Sequence, residues 1–256
     1  MNTRKEQLKA FERLLDIMDD LRAQCPWDKK QTTESLRYLT IEEMYELSDA
    51  ILENNKDEIK KELGDLFLHL VFYSKIASET HDFDIADVLN GICEKLIFRH
   101  PHIYGDTKIN DEEEVKKNWE KLKLKEGKKS VLEGVPNSLP AMVKAFRIQE
   151  KVKGVGFEFE NETDTWEKVK EEMHEFQIEK EENKREQEFG DLLFSLINYA
   201  RFTGINPEDA LERTNKKFIA RFKLMENLAK DQNQNISDLS LAEQDKLWVQ
   251  AKNSMK

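Results

Sequence analysis

An acidic motif that occurs twice constrains this chain more than any other feature of its sequence. Each copy reads Glu-Glu-x-x-Glu and then, after an interval, Glu-x-Gly-Asp. Because an α-helix turns by about 100° per residue, the glutamates of the first element share one helix face, as do the Glu and Asp of the second. A repeated unit predicts two tandem domains from an internal duplication. The acids are Glu42, Glu43, Glu46, Glu62 and Asp65 in the first copy and Glu171, Glu172, Glu175, Glu188 and Asp191 in the second.

The residues that follow each copy predict that these acids enter a core. Segments 66–72 and 192–197 are almost entirely apolar, and a helix that is apolar all round is buried. Two like charges 4 Å apart repel by about 4 kcal/mol at an effective dielectric constant near 20, so the clusters need either protonation or a hard cation. Oxygen ligands without a nearby cysteine select Mg²⁺, Mn²⁺ or Ca²⁺. We take Mg²⁺ as the expected metal, with Mn²⁺ as a substitute.

The composition narrows the class of ligand. The chain has 256 residues and a formal net charge of -11, whereas binding of a nucleic-acid polymer relies on a basic surface. Cys25 and Cys93 lack Cys-x-x-Cys spacing, so neither a zinc site nor a disulfide framework is indicated. No segment reaches the roughly 18 apolar residues of a membrane span. We therefore expect a soluble, cytoplasmic protein with a small ligand and no membrane partner.

Hydrophobic periodicity predicts an all-α fold, because apolar residues recur at spacings of three and four and no alternating strand pattern is present. We divide the chain into an N-terminal helical domain at 1–125, a linker with one helix at 126–161 and a C-terminal helical domain at 162–256. The first domain is expected to end in a charged helix at 111–125 that carries Trp119. The linker assignment rests on Gly127, Gly134 and Pro136.

The repeat also pairs cations and tryptophans between the halves. Lys95 and Arg99 match Lys217 and Arg221, with each pair at i, i+4 on one helix face. Trp119 matches Trp248. Carboxylates that hold a metal, cations that hold phosphates and an aromatic face that stacks on a base together fit a nucleotide with two or three phosphates. The alternative is that the tryptophans anchor packing and the cations pair with surface acids.

Beyond these arguments, three groups of residues resemble a known family. They are the duplicated acidic motif, the segment Cys25-Pro26-Trp27-Asp28 and the segment Arg99-His100-Pro101-His102. Over essentially the whole chain, the sequence resembles the two-domain MazG family of nucleoside triphosphate pyrophosphohydrolases. The resemblance implies two tandem MazG-like helical bundles that cleave between the α and β phosphates of a nucleoside triphosphate, with Mg²⁺, to give a monophosphate and pyrophosphate. It also implies a homodimer.

The combined hypothesis gives the second copy the following roles. Its five carboxylates bind Mg²⁺, which activates a water for attack on the α-phosphorus. Lys168, Lys217 and Arg221 neutralise the charge that builds on the leaving pyrophosphate. The assigned catalytic residues are Glu172, Glu175, Lys217 and Arg221, and the assigned nucleotide-binding residues are Lys168, Asn198, Arg201, Lys217, Arg221 and Trp248, with Lys95 and Arg99 in the first half.

The two copies differ beside the Glu-x-Gly-Asp element. One and two turns after Asp191, the second copy has Ser195 and Asn198, and the latter amide can hydrogen-bond a sugar hydroxyl. The first copy has His69 and Phe72 at these positions. We therefore favour the second unit as the main catalytic unit and expect the first to bind metal with a structural or weaker role.

Two other functions fit parts of the pattern. A di-iron carboxylate bundle also uses inward glutamates, and Glu171 with His174 forms the Glu-x-x-His spacing of such proteins. The first copy has Tyr45 instead of that histidine, which weakens the iron interpretation. The second alternative is a non-catalytic helical scaffold that keeps its acids as metal sites. The sequence indicates no preference for a base or a sugar.

Overall fold

The computed structural model describes residues 1–106, 114–115, 118–119, 122 and 130–255, and within them all regular secondary structure is helical. The predicted all-α class is therefore confirmed for the described part of the chain. The chain divides into two compact units, Met1–Ile109 and Asn110–Lys256.

The first unit places its two acidic elements on neighbouring helices. Asn54 adopts a positive φ of 54°, which asparagine tolerates better than most residues, and the side chain of Asn55 accepts a hydrogen bond from the backbone N–H of Glu58. This pair ends one helix and begins the next, so the two helices pack side by side. The helices of the unit are α1 (Arg4–Gln24), α2 (Thr33–Leu52), α3 (Lys56–Glu79), α4 (Ile85–Arg99) and the short α5 (Pro101–Tyr104).

The core of the first unit lies where α1 packs across α3 and α2. Met18, Leu36, Val71 and Phe72 are buried there, and half-buried residues of the same three helices surround them. Val71 and Phe72 belong to the apolar run that follows the first Glu-x-Gly-Asp element. The predicted all-round burial of that run is wrong, because Phe67 and Leu70 are 52% and 53% exposed and only one side of α3 is packed into the core. That buried side holds the acidic end of α3 against α2.

The second unit repeats the paired acidic helices. They are α7 (Glu162–Ile178) and α8 (Glu182–Phe202), which pack side by side, and α6 (Ala141–Lys153) packs against α8. A second core, of Met225, Ala229, Leu247 and Ala251, joins α9 (Pro207–Asp231) to α10 (Leu241–Ser254).

The boundary between the compact units precedes the predicted linker. The helix expected inside that linker is α6, and its packing on α8 makes it part of the second unit. The limits 1–125, 126–161 and 162–256 stay predictions for the domains. Most of the helix predicted at 111–125 lies outside the described residues, although Trp119 is described as helical and half-buried.

Among the helices of the described residues, none has the length and apolar content that a bilayer crossing requires. The helix α4 has no buried residue, and its apolar side chains Val88, Leu89, Ile92 and Leu96 are exposed.

The first core can be tested by truncating Leu36, which is 0% exposed. We expect Leu36→Ala to lower the free energy of unfolding of the first unit by about 2–5 kcal/mol, because the lost methyl groups leave a cavity among packed side chains. Urea unfolding followed by circular dichroism measures this. The control is Leu8→Ala in α1, where the side chain is 61% exposed and the expected change is within about 0.5 kcal/mol. Equal effects of the two substitutions would contradict the assignment of the core.

Candidate metal centres and an adjoining pocket

Three of the five predicted carboxylates converge in each unit. Glu43, Glu62 and Asp65 form the first triad. Glu172, Glu188 and Asp191 form the second, and in each triad one oxygen per residue lies within 4.8 Å of the others. The paired helices explain this, because α2 or α7 contributes one glutamate and α3 or α8 contributes a Glu and an Asp three residues apart.

The other four predicted ligands lie outside these triads. Glu42, Glu46 and Glu171 are exposed, and Glu175 is half-buried. The charges of Glu46 and Glu175 nevertheless raise the pKa values of Glu43 and Glu188, so both acids border the triads. Glu171 instead forms an ion pair with Lys168, whose Nζ lies 2.9 Å from Glu171 Oε1.

One carboxylate of each triad is deeply buried and has a lysine beside it. Glu62 is 2% exposed and its Oε1 lies 2.9 Å from the Nζ of Lys61. Glu172 is 6% exposed and its Oε1 lies 2.7 Å from the Nζ of Lys168. The second oxygen of Glu62 is buried and has no hydrogen-bond partner among the described residues. An oxygen-only donor set that includes a buried carboxylate oxygen without a partner fits a hard divalent cation.

The lysines do not cancel the charge of the triads. Burial raises the pKa of Glu43, and the charge of Asp65 raises it further. Burial also raises the pKa of Glu188, and so do the charges of Glu175 and Asp191. These shifts reflect repulsion between like charges held close together in a medium that solvates them poorly.

The lysine comes from a different helix in each unit. Lys168 belongs to α7, and the matching position of the first copy is Leu39. Lys61 belongs to α3, and the matching position of the second copy is Gln187. Lys61 was not predicted as a site residue; its only signal in the sequence is a cation directly before the glutamate of the Glu-x-Gly-Asp element.

A pocket of about 490 Å³ adjoins the second triad. It is formed by helices α6, α7 and α8 and the segment 154–159. It borders both predicted metal-binding acids and residues predicted to bind the nucleotide. Its lining includes the predicted residues Lys168, Glu172, Asp191, Asn198 and Arg201, and also Ile148, Gln149, Val152, Gly156, Phe157, Glu158, Phe159, Phe194 and Ser195.

An ion-pair network holds the segment 154–159 against α8. The guanidinium of Arg201 donates to Glu158 Oε1 at 2.5 Å and to Asn198 Oδ1 at 2.8 Å. Lys153 also pairs with Glu158, at 3.2 Å. The phenylalanines and Glu158 of this wall were not predicted, because they precede the acidic motif.

The first unit has buried side chains at the positions that match two pocket residues of the second. Phe72, which replaces Asn198, is buried, and the guanidinium of Arg22 lies 5.6 Å from its ring centroid. His69, which replaces Ser195, is also buried, and burial lowers its pKa. The structure thus gives the two triads different surroundings.

The remaining predicted residues do not line the pocket. Arg221 lies over the ring of Trp248, 5.9 Å from its centroid, and the ring of Phe218 is 5.1 Å from that of Trp248. Trp248 therefore packs beside the core of α9 and α10. Lys217 is exposed on α9, and Lys95 and Arg99 lie on α4.

Comparison with known proteins identifies relatives of the whole chain. The model of the MazG nucleotide pyrophosphohydrolase domain matches residues 31–104 and 160–225, which include both triads. The nucleoside triphosphate pyrophosphohydrolase/pyrophosphatase MazG of Thermotoga maritima is 44% identical, over 97% of this chain and 98% of that protein. The nucleoside triphosphate pyrophosphohydrolase of Escherichia coli (strain K12) is 37% identical, over 96% and 98%. An uncharacterised protein of Bacillus subtilis, YabN, is 45% identical over 94% of this chain and 51% of its own length.

The repulsion within a triad predicts a stability effect of opposite sign with and without metal. The folded-state pKa of Glu43 is raised, so the stability linked to its protonation is complete below the usual glutamate pKa and is lost as pH rises through the raised value. We expect Glu43→Gln to raise the midpoint of thermal unfolding at pH 7 in EDTA, with no gain at low pH. With saturating Mn²⁺ the substitution should lower the midpoint, because a ligand is missing.

The matched control is Glu42→Gln, which changes the adjacent exposed carboxylate. It should leave the midpoint nearly unchanged in both solutions. A lower midpoint of Glu43→Gln in EDTA at pH 7 would contradict the account of the triad as a site of uncompensated charge.

Proposed function

The chain belongs to the MazG nucleotide pyrophosphohydrolase family, and we propose that it hydrolyses nucleoside triphosphates to a monophosphate and pyrophosphate at its second carboxylate triad. Relatives that carry this activity in their names align with nearly the full length of the chain. The observation that supports the placement is the pocket, since it joins two acids of the second triad to Lys168, Asn198 and Arg201.

The carboxylates of the second unit fit a divalent ion, and we assign it as Mg²⁺, with Mn²⁺ as a substitute. Glu172, Glu188 and Asp191 would hold the ion, while Glu171 and Glu175 border the site. When bound, such an ion lowers the pKa of a coordinated water and stabilises charge on phosphoryl oxygens. The first triad offers the same donor set, including a buried carboxylate oxygen without a partner.

Lys168 is positioned to bind the phosphates. Its hydrogen bonds to Glu172 and Glu171 raise its pKa, so the ammonium stays protonated beside the triad. A cation in this position neutralises charge on the phosphates during cleavage between the α and β phosphorus atoms. We also propose Lys217 and Arg221 for this role from their shared face of α9 at i, i+4, although neither lines the pocket.

The apolar part of the pocket suits the nucleoside. Phe157, Phe159 and Phe194 supply aromatic surface, and Phe157 is 79% exposed. Arg201 occupies Oδ1 of Asn198, which leaves the Nδ2 group of that amide to donate to a sugar hydroxyl. These contacts take over the base-stacking role first assigned to Trp248, whose ring packs with Phe218 and Arg221.

The surroundings of the triads favour the second unit as the main catalytic unit. In the first unit, the buried Phe72 takes the position of Asn198, and the guanidinium of Arg22 lies over its ring. We assign the first triad a structural or weaker catalytic role. The di-iron interpretation is disfavoured, because both metal-binding groups found among the described residues consist of carboxylates alone and His174 is exposed.

Two features support the expected assembly and location. Apolar side chains exposed along α4 offer surface for a homodimer contact. Both cysteines are free thiols, as is usual in the reducing cytoplasm.

The activity is tested with a panel of canonical and modified nucleoside triphosphates, with ribose or deoxyribose, in the presence of Mg²⁺. We expect the release of monophosphate and pyrophosphate, because attack at the α-phosphorus breaks the α–β bond. Glu172→Gln should lower kcat by at least about a hundredfold through loss of a metal ligand while circular dichroism remains unchanged. Retained turnover would refute the assigned roles, and the absence of pyrophosphate with every triphosphate would favour the non-catalytic scaffold.

The ranking of the two units is tested by comparing Glu43→Gln with Glu172→Gln. These residues hold matching positions, so each change removes the same ligand from one triad. We expect Glu43→Gln to keep most of kcat/KM, while Glu172→Gln loses it, since the first unit has the buried Phe72 where the second has the pocket residue Asn198. Steady-state kinetics measures both values, and equal losses would overturn the ranking.

A further inference from the structure

A buried glutamine beside the second triad has half of its amide unpaired. Gln149 of α6 is 4% exposed, and its Nε2 donates to the backbone carbonyl of Phe194 at 2.8 Å. A carbonyl oxygen can only accept, so this bond fixes the orientation of the amide. The amide oxygen Oε1 is left buried and without a hydrogen-bond partner among the described residues.

An unpaired buried acceptor is costly, and this one lies in the wall of a ligand pocket. Gln149 lines the pocket together with Lys168, Glu172 and Asp191. Most buried polar atoms of native proteins have a partner, and an exception inside a binding pocket indicates an atom that is satisfied on binding. The partner must be a donor, because Oε1 can only accept.

The position along α8 indicates which part of a nucleotide meets this oxygen. With a rise of 1.5 Å per residue, Phe194 lies about 4.5 Å and Asn198 about 10.5 Å along the helix axis from Asp191. The amide of Gln149 bonds to the carbonyl of Phe194, so it lies between the metal-binding acids and the amide of Asn198. A nucleoside that is attached to a phosphate at the triad occupies this interval.

We propose that Oε1 of Gln149 accepts a hydrogen bond from the nucleoside part of the substrate, either from an N–H of the base or from an O–H of the sugar. This proposal rests on the proposed function, which places a nucleoside triphosphate in the second unit. The oxygen is covered in this structure, so contact requires a small shift of the pocket lining. Gln149 then acts as a specificity residue: a nucleoside without the matching donor leaves the acceptor unpaired and is bound more weakly.

The test uses the full chain and three pairs of nucleotides that differ in one donor. The pairs compare substrates with and without the 2′-hydroxyl, the 3′-hydroxyl and the exocyclic amino group of a purine. The variant Gln149→Met keeps the length of the side chain and removes its hydrogen-bonding groups. Steady-state kinetics on the triphosphates gives KM and kcat, and calorimetry gives the affinity for the corresponding monophosphates.

We expect wild type to prefer the donor-bearing member of one pair by about tenfold or more in kcat/KM. Gln149→Met should abolish that preference and raise KM for the donor-bearing substrate with little change in kcat, as loss of uniform binding does. The pair that loses its preference identifies the source of the donor as sugar or base. If the Met variant does not fold, Gln149→Asn provides the same test, because its shorter amide cannot reach both the Phe194 carbonyl and the ligand.

The matched control is Gln244→Met in α10. The Nε2 of Gln244 also donates to backbone carbonyls, those of Ile236 and Leu239, and the side chain does not line the pocket. This variant should lose stability without losing the substrate preference. The role of Gln149 would be overturned if Gln149→Met lowered kcat/KM equally for all substrates, or if it left the substrate preferences unaltered. Pyrophosphate release would stand in both cases. A wild-type chain that releases no pyrophosphate and binds no monophosphate would overturn the proposed function, and this inference with it.

Discussion

Mutual repulsion between acids that the fold forces together is the constraint on which both units depend. The apolar runs after Asp65 and Asp191 bury one side of α3 and α8, and the packing of these helices against α2 and α7 brings three carboxylates within 4.8 Å in each unit. Hydrophobic burial supplies the free energy that holds these like charges close. The raised pKa values of Glu43 and Glu188 reflect burial and this repulsion between neighbouring carboxylates. A divalent ion bound by the three carboxylates would relieve this repulsion, so its binding would be favoured by like charges that folding has already brought together.

The duplication preserved the acids and changed what surrounds them. Each triad has a lysine beside its most buried glutamate, but Lys61 and Lys168 come from different helices. The first unit has the buried Phe72 at the position where the second unit has Asn198, which lines a pocket. All three carboxylates recur in both copies because a metal site of this kind would need every one of them as a ligand. A lysine, in contrast, can reach the buried glutamate from more than one helix. The copies therefore agree in the carboxylates that could hold a metal and differ in the side chains around them.

The repeat made the fold class and the acids predictable, since a motif that recurs on helices of matching character leaves few alternatives. Periodicity predicted Glu172, Glu188 and Asp191 on facing surfaces and Asn198 on the carboxylate side of α8. The assignment of Arg201 came from the family resemblance. Lys61 was missed because adjacent residues on a helix do not face each other, and only its long side chain reaches Glu62. Gln149 and Glu158 were missed because their positions follow from the packing of α6 on α8, which no local pattern encodes. Trp248 was assigned to a base on the match with Trp119, yet tertiary packing uses its ring between α9 and α10.

The attachment of the segment 154–159 has a consequence for how such a protein can diversify. This wall contributes Phe157 and Phe159 to the pocket, but polar links from Glu158 to Arg201 and Lys153 hold it, outside the apolar core that positions the acids. Gly156 within it adopts a φ of +89°, and no atom lies within 4 Å of the place a Cβ would take, so backbone conformation rather than crowding limits replacement there. This wall and the carboxylates are thus held by physically separable contacts. Under the proposed function, exchanges in this short segment would alter part of the nucleoside contact surface while Gln149 and the carboxylates keep their geometry.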